Sequence, residues 1–128
     1  MRMLLDSVGI KKSEKEVVRL LGTKKTIYPR HEALPIAAEK LGLEYLVGKN
    51  SSVRELNAFL KRGYKIMTCY FLVEEDSGHY AVIRKIDNQF IYLLDPSIGP
   101  KTKYSLRYFR TVWRGKVDKD KAWFFGIK

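Results

Sequence analysis

The stretch SGHYAVIRKIDNQFIYLLDPSIG, residues 77–99, places runs of apolar residues on both sides of the turn-forming pair Asp87 and Asn88. This pattern predicts two antiparallel strands joined by a short turn. Counting outward from the turn puts His79 opposite Asp95, to within one residue. A two-residue turn would point these side chains to opposite faces of the sheet, whereas a three-residue turn or a bulge would point them to the same face.

A histidine and an aspartate on one face of a sheet can form a functional pair. The carboxylate accepts the imidazole N–H, fixes the tautomer and leaves the other ring nitrogen free to act as a base. The same two residues can also form a purely structural hydrogen bond at the open end of the sheet. The hairpin pattern by itself leaves both interpretations open for His79 and Asp95.

The first half of the chain has helical patterns. We expect a helix end at Gly9, and capping boxes at Ser13 and Ser52 that each begin an amphipathic helix, ending at Gly22 and Gly63 respectively. Between these two helices, the segment HEALPIAAEKLG predicts a further helix, and residues 44–47 predict a short strand. The first half is therefore expected to contain three or four short helices.

The second half changes to β-branched and aromatic runs that are separated by turn residues. From Tyr64 onward this pattern predicts a meander of three strands, followed by the helix SLRYFRTVWRG with Ser105 as its cap and a closing strand in KAWFFGIK. Helices followed by antiparallel strands indicate an α+β fold. We expect the helical N-terminal half to pack on an antiparallel sheet from the C-terminal half.

Composition limits the organisation of the chain and its partners. The sequence has 128 residues, of which 45% are apolar, so residues 1–128 are expected to form a single domain with one core. No apolar run is as long as a membrane span and no signal peptide is evident, which predicts a cytoplasmic protein. The net charge of +11 favours anionic partners. Nucleic-acid binding, with Tyr28, Tyr104 and Tyr108 stacking on bases, is therefore an alternative function, although no nucleic-acid-binding signature is present.

One cysteine and two histidines restrict the possible chemistry. If Glu74 lies opposite His79, then Cys69 lies roughly 16 Å from the histidine along the strand, too far for a nucleophile and its base. Cys69 is instead expected to be a buried apolar side chain. We expect His31 at the surface, and we expect neither a metal nor a cofactor, because these residues lack metal-site spacing.

Several motifs, in their order along the chain, resemble the papain-like cysteine peptidases of the bacteriocin-processing type, peptidase family C39. These motifs are LLDSVG, SEKEVVRLLGT, AAEKLGLEY, NSSVRELNAFLKRGYKIM, GHYAVI, IYLLDPSIG and SLRYFRTVW. The resemblance implies a papain-like α+β fold. It also implies that His79 is the general base, that Asp95 orients it, and that the partner is an extended peptide such as a double-glycine leader.

The chain departs from this family pattern at its start. In the family, a cysteine within a CGPA-like segment begins the first helix, just after a glutamine of the oxyanion hole. That cysteine is expected roughly three helical turns before Gly9, upstream of Met1. Either the sequence is incomplete at its N-terminus, in which case the upstream reading frame should encode the cysteine, or the protein is a degenerate member that binds peptides without cleaving them.

Overall fold

A computed structural model describes residues 2–21, 31, 33–115 and 121–128. The described residues form the α-helices α1 (Arg2–Ser7), α2 (Glu14–Leu21), α3 (Ala33–Lys40), α4 (Val53–Lys61) and α5 (Leu106–Val112). They also form the strands β1 (Tyr45–Gly48), β2 (Lys65–Leu72), β3 (Ser77–Ile86), β4 (Phe90–Asp95), β5 (Gly99–Ser105) and β6 (Phe124–Ile127). A 3₁₀ turn, Val73–Glu75, joins β2 to β3. None of the described helices is both long enough and apolar enough to cross a lipid bilayer.

Local hydrogen bonds explain where the helices begin and end. The Ser52 hydroxyl accepts from the Glu55 backbone N–H, and the Glu55 carboxylate accepts from the Ser52 N–H, which completes the expected capping box of α4. At the end of α1, Gly9 has φ +83° and the Ile10 N–H donates to the Leu5 carbonyl, as in a Schellman motif. The expected end of α2 at Gly22 lies outside the described residues.

The sheet is wider than the sequence pattern indicated. Its six strands lie in the order β1-β6-β2-β3-β4-β5, and all neighbouring strands are antiparallel. The segment that forms β5 contains Pro100 and two lysines, a composition typical of a loop, yet it pairs with β4 as an edge strand, where proline and lysine are tolerated. The other edge, β1, comes from the first half of the chain.

Helices cover both faces of this sheet, whereas we expected a single helical layer. Helices α4 and α5 pack on one face, where the buried residues include Leu56, Tyr70, Ile83, Leu93 and Phe109. Helices α1, α2 and α3 pack on the other face, where the buried residues include Leu5, Ala37, Met67, Val82 and Phe125. Successive strand residues therefore contribute to different clusters, as the pleat of a β-strand requires.

A β-bulge in β3 decides which face carries His79. Near the turn, Ile86 pairs with Ile91 and Lys85 pairs with Tyr92, but the next pair is Ile83 with Leu93, so Arg84 is an extra residue. Because side chains alternate along a strand, one extra residue exchanges the faces of all residues beyond it.

The register beyond the bulge places the histidine and the aspartate on the same face. Val82 pairs with Leu94, so Asp95 is level with Ala81, two residues from His79, rather than within one residue of it as we expected. Without the bulge, Asp95 would be level with Val82 and would face away from His79. The sequence allowed a shared face through either a three-residue turn or a bulge, and the structure has the bulge.

Shortening a core side chain on the face of the sheet that carries His79 should lower the stability of the protein. Leu93 is fully buried on the face that also carries His79, so Leu93→Ala is expected to lower the free energy of unfolding by about 2–5 kcal/mol. Val73→Ala is the control, because Val73 is 64% exposed and its loss should change stability by less than about 0.5 kcal/mol. Urea unfolding measures the stability of both variants. Equal losses of stability would contradict the buried position of Leu93.

Candidate functional site

Asp95 is a buried carboxylate at the end of β4, and only 1% of its surface is exposed. One of its oxygens, Oδ1, accepts from the Ser97 N–H at 2.8 Å, the Ser97 hydroxyl at 2.7 Å and the Ile98 N–H at 3.3 Å. The other, Oδ2, accepts from the Tyr70 hydroxyl and lies 3.0 Å from His79 Nδ1. Both oxygens are thus satisfied, as a buried charge requires.

These hydrogen bonds determine the charge of the carboxyl group. Burial alone would raise the pKa of Asp95, but the hydrogen bonds from Tyr70 and Ser97 outweigh burial and hold the pKa below its ordinary value. Burial and the hydrogen bond to Asp95 raise the pKa of the Tyr70 hydroxyl strongly, so the phenol keeps its proton and remains a donor. Asp95 is therefore an ionised acceptor at neutral pH.

His79 is held from two sides near the start of β3. Its ring is 7% exposed and stacks on the ring of Tyr70, with centroids 5.3 Å apart and an interplanar angle of 14°. Besides Asp95, the Ser97 hydroxyl lies 2.9 Å from Nδ1. An ionised carboxylate can only accept, so Nδ1 must carry a proton. The contact therefore fixes the tautomer in the way that a catalytic histidine needs.

The second ring nitrogen of His79, Nε2, points toward the 3₁₀ turn between β2 and β3. It lies 3.3 Å from the Glu75 carboxylate, whose side chain is 56% exposed. A hydrogen bond there requires a proton on Nε2 as well, so the contact belongs to the positively charged imidazolium. The neutral ring would instead offer a lone pair at Nε2, on the more exposed side of the site.

Cys69 cannot act as the nucleophile for His79, although the strand register that we expected for this hairpin was wrong. The hairpin closes with Leu72 opposite Ser77, so Tyr70 rather than Glu74 lies opposite His79, and Cys69 pairs with Tyr80. The expected separation of roughly 16 Å along the strand therefore does not apply. Cys69 is 4% exposed and packs in the cluster beneath α1, α2 and α3, on the face opposite His79. The sheet itself separates the thiol from the imidazole.

His31 is half-buried, not at the surface as we expected. Its ring stacks on Trp123 with centroids 3.8 Å apart, and its Nε2 lies 2.8 Å from the Tyr80 hydroxyl. Tyr80 packs on the face opposite His79, so the two histidines belong to different layers. Among the described residues, no group of three or more histidine, cysteine, aspartate or glutamate side chains is arranged to hold a metal ion.

Three residues around the pair were not predicted from the sequence, namely Tyr70, Ser97 and Glu75. A signal for Ser97 exists, because an aspartate often accepts hydrogen bonds from the backbone two residues later, as Asp95 does in DPS. Tyr70 resembles an ordinary core aromatic in the sequence, and only the strand register places it opposite His79. Glu75 reaches the histidine through the 3₁₀ turn, which we did not predict.

Comparisons with known proteins agree with this architecture. The model of the peptidase C39 family matches residues 1–117. A similar solved structure is the peptidase domain of Streptococcus ComA, and ComA is a bi-functional ABC transporter involved in a quorum sensing pathway. The TM-score is 0.70 and the sequence identity is 21%. The match covers 99% of this chain and 84% of the ComA chain. At this identity the likeness shows the fold alone, and it confirms the expected papain-like α+β fold. No curated protein sequence matches the chain.

Removing the Tyr70 hydroxyl should destabilise the site. Tyr70→Phe leaves Asp95 Oδ2 without one of its donors in a buried position, so the free energy of unfolding should fall by about 1–3 kcal/mol. Tyr108→Phe is the control, because Tyr108 is 39% exposed and should tolerate the loss of its hydroxyl. Equal urea midpoints for the two variants would show that the Tyr70 hydroxyl does not support the carboxylate.

Stability should depend on the ionisation of Asp95 in acid. Its pKa is lower in the folded protein than the ordinary value of about 3.9, so its stabilising effect is complete above that value and is lost as pH falls through the folded pKa. The difference in unfolding free energy between the native chain and Asp95→Asn should therefore shrink as pH is lowered from about 5 toward 2. A difference that does not change over this range would contradict a lowered pKa.

Proposed function

We propose that this chain, which belongs to the peptidase C39 family, supplies the histidine and aspartate of a cysteine-peptidase site that cleaves leader peptides after a double glycine. The observation that carries the proposal is the geometry of His79. Its Nδ1 is held by an ionised, buried Asp95, and its Nε2 is directed toward the more exposed side of the site. Family membership supports the cysteine-peptidase reaction as the use of this geometry.

In the proposed reaction, His79 Nε2 accepts and returns a proton in each of two steps. Nε2 of the neutral ring takes the proton of a thiol, the resulting thiolate attacks the peptide carbonyl, and the imidazolium gives the proton to the amine as the C–N bond breaks and an acyl-enzyme forms. Nε2 then takes a proton from a water molecule that attacks the thioester, and the proton returns to the sulfur as the carboxylic acid leaves. Asp95 stays ionised throughout and stabilises the imidazolium through Nδ1–H, while Tyr70 and Ser97 hold the carboxylate in position.

The thiol of this reaction comes from a residue other than Cys69. Cys69 is buried on the other face of the sheet, and the side chains of a pleated strand cannot exchange faces without breaking the register. By the family pattern, the nucleophile lies at the start of the helix whose last turns correspond to α1. Residues 1–128 by themselves are therefore proposed to bind the peptide without cleaving it.

A second candidate function is peptide binding without any catalysis. It is favoured by one specific contact, because the Glu75 carboxylate lies 3.3 Å from Nε2, at the position where a thiol would otherwise give up its proton. A carboxylate in this position stabilises the imidazolium much as a thiolate does, so a degenerate member could keep the charged histidine without a nucleophile. In both candidates the partner is an extended peptide.

The two candidates differ when a nucleophile is supplied. Residues 1–128 alone should leave a double-glycine leader peptide intact, as judged by mass spectrometry, because no accessible thiol faces His79. A chain extended at its amino end by a family-type helix that carries the cysteine should cleave the peptide. His79→Ala in that extended chain should lower kcat by a factor of about 10³ or more.

Controls make each result interpretable. Cys69→Ala in the extended chain should leave cleavage unchanged, and cleavage by residues 1–128 that an alkylating reagent abolishes would show that Cys69 had been wrongly excluded. An extended chain that binds the leader peptide but does not cleave it would instead support the second candidate. Loss of both binding and cleavage in a chain that still folds would refute both functions.

A further inference from the structure

A cavity of about 540 Å³ lies between the beginning of α4 and the end of α5. It shares no residue with the site around His79. Its lining includes Ser52, Arg54, Arg110, Thr111, Arg114 and Lys121. A volume of this size is in the usual range for small-molecule sites, which is about 300–1,000 Å³.

The lining of this cavity is strongly basic. It has three arginines and one lysine, and among its described residues there is no aspartate or glutamate. Within the part of the chain that the structure describes, Arg54 and Arg110 have no ion-pair partner. Cations gathered around one cavity repel each other, and an anion bound between them would remove that repulsion.

One of the arginines is held in place before a ligand arrives, because the guanidinium of Arg114 lies 5.0 Å from the centre of the Phe71 ring. Arg54 is the second residue of α4, next to Glu55 in the same first turn, and Arg110 lies in the last turn of α5. Both arginines therefore extend from helix ends that border the cavity.

We propose that this cavity binds a compact polyanion of the oligophosphate class. A planar guanidinium donates two parallel hydrogen bonds to phosphate oxygens, which favours arginine over lysine in phosphate sites. Several cations around one small cavity match a ligand with several charges on adjacent groups better than they match a single carboxylate. A free oligophosphate and the phosphate chain of a nucleotide share this chemistry.

The test is calorimetric titration of the native chain with inorganic tripolyphosphate at about 0.15 M salt, where diffuse attraction to a +11 protein is largely screened. We expect saturable binding at one site. Arg54→Ala/Arg110→Ala should weaken the affinity at least tenfold. Lys61→Ala/Arg107→Ala is the matched control, because it removes the same charge from exposed positions of the same two helices, outside the cavity, and should change the affinity less than twofold.

A second titration, with adenosine triphosphate, distinguishes a nucleotide ligand from a free oligophosphate. Tighter binding than tripolyphosphate supports a nucleotide, and equal binding supports recognition of the phosphates alone. The backbone amide signals of Thr111 and Arg114, which line the cavity, should shift in NMR spectra during both titrations. Absence of saturable binding, or equal weakening by the two double variants, would overturn the proposal, and neither result depends on peptidase activity.

Discussion

The buried carboxylate of Asp95 is the group on which the arrangement of the site depends. A charged carboxylate without partners would cost several kcal/mol in the protein interior, so its donors must all be in place when the chain folds. Those donors come from β2, from β3 and from the turn before β5. One side chain therefore joins three neighbouring strands at the same end of the sheet, and the orientation of His79 follows from that junction.

The pleat of the sheet separates functions that are close in the sequence. His79 and Tyr80 are adjacent, yet one belongs to the layer beneath α4 and α5 and the other packs beneath α1, α2 and α3. The same alternation places Tyr70 against the imidazole and puts its neighbour Cys69 on the other side of the sheet. A thiol next to a site residue in sequence is thus remote from the imidazole in the fold.

Positive charge is not evenly distributed over the described part of the molecule. Near His79, two carboxylates, those of Asp95 and Glu75, lie beside the imidazole ring. At the junction of α4 and α5, by contrast, four cations surround a cavity whose described lining has no acid. The two regions differ in the partner that each can attract, because one can stabilise a developing cation and the other a bound anion.

Short-range patterns in the sequence were sufficient for the helices and the hairpin, because caps, glycine ends and turns depend on residues only a few positions apart. The family motifs added the papain-like fold, which the structural comparison confirms. Strand β5, the second helical layer, the half-buried His31 and the residues Tyr70, Ser97 and Glu75 were not predicted. Each of these depends on which strands become neighbours and in which register. The bulge at Arg84 shows why, because a single extra residue decides whether the histidine and the aspartate lie on the same face of the sheet.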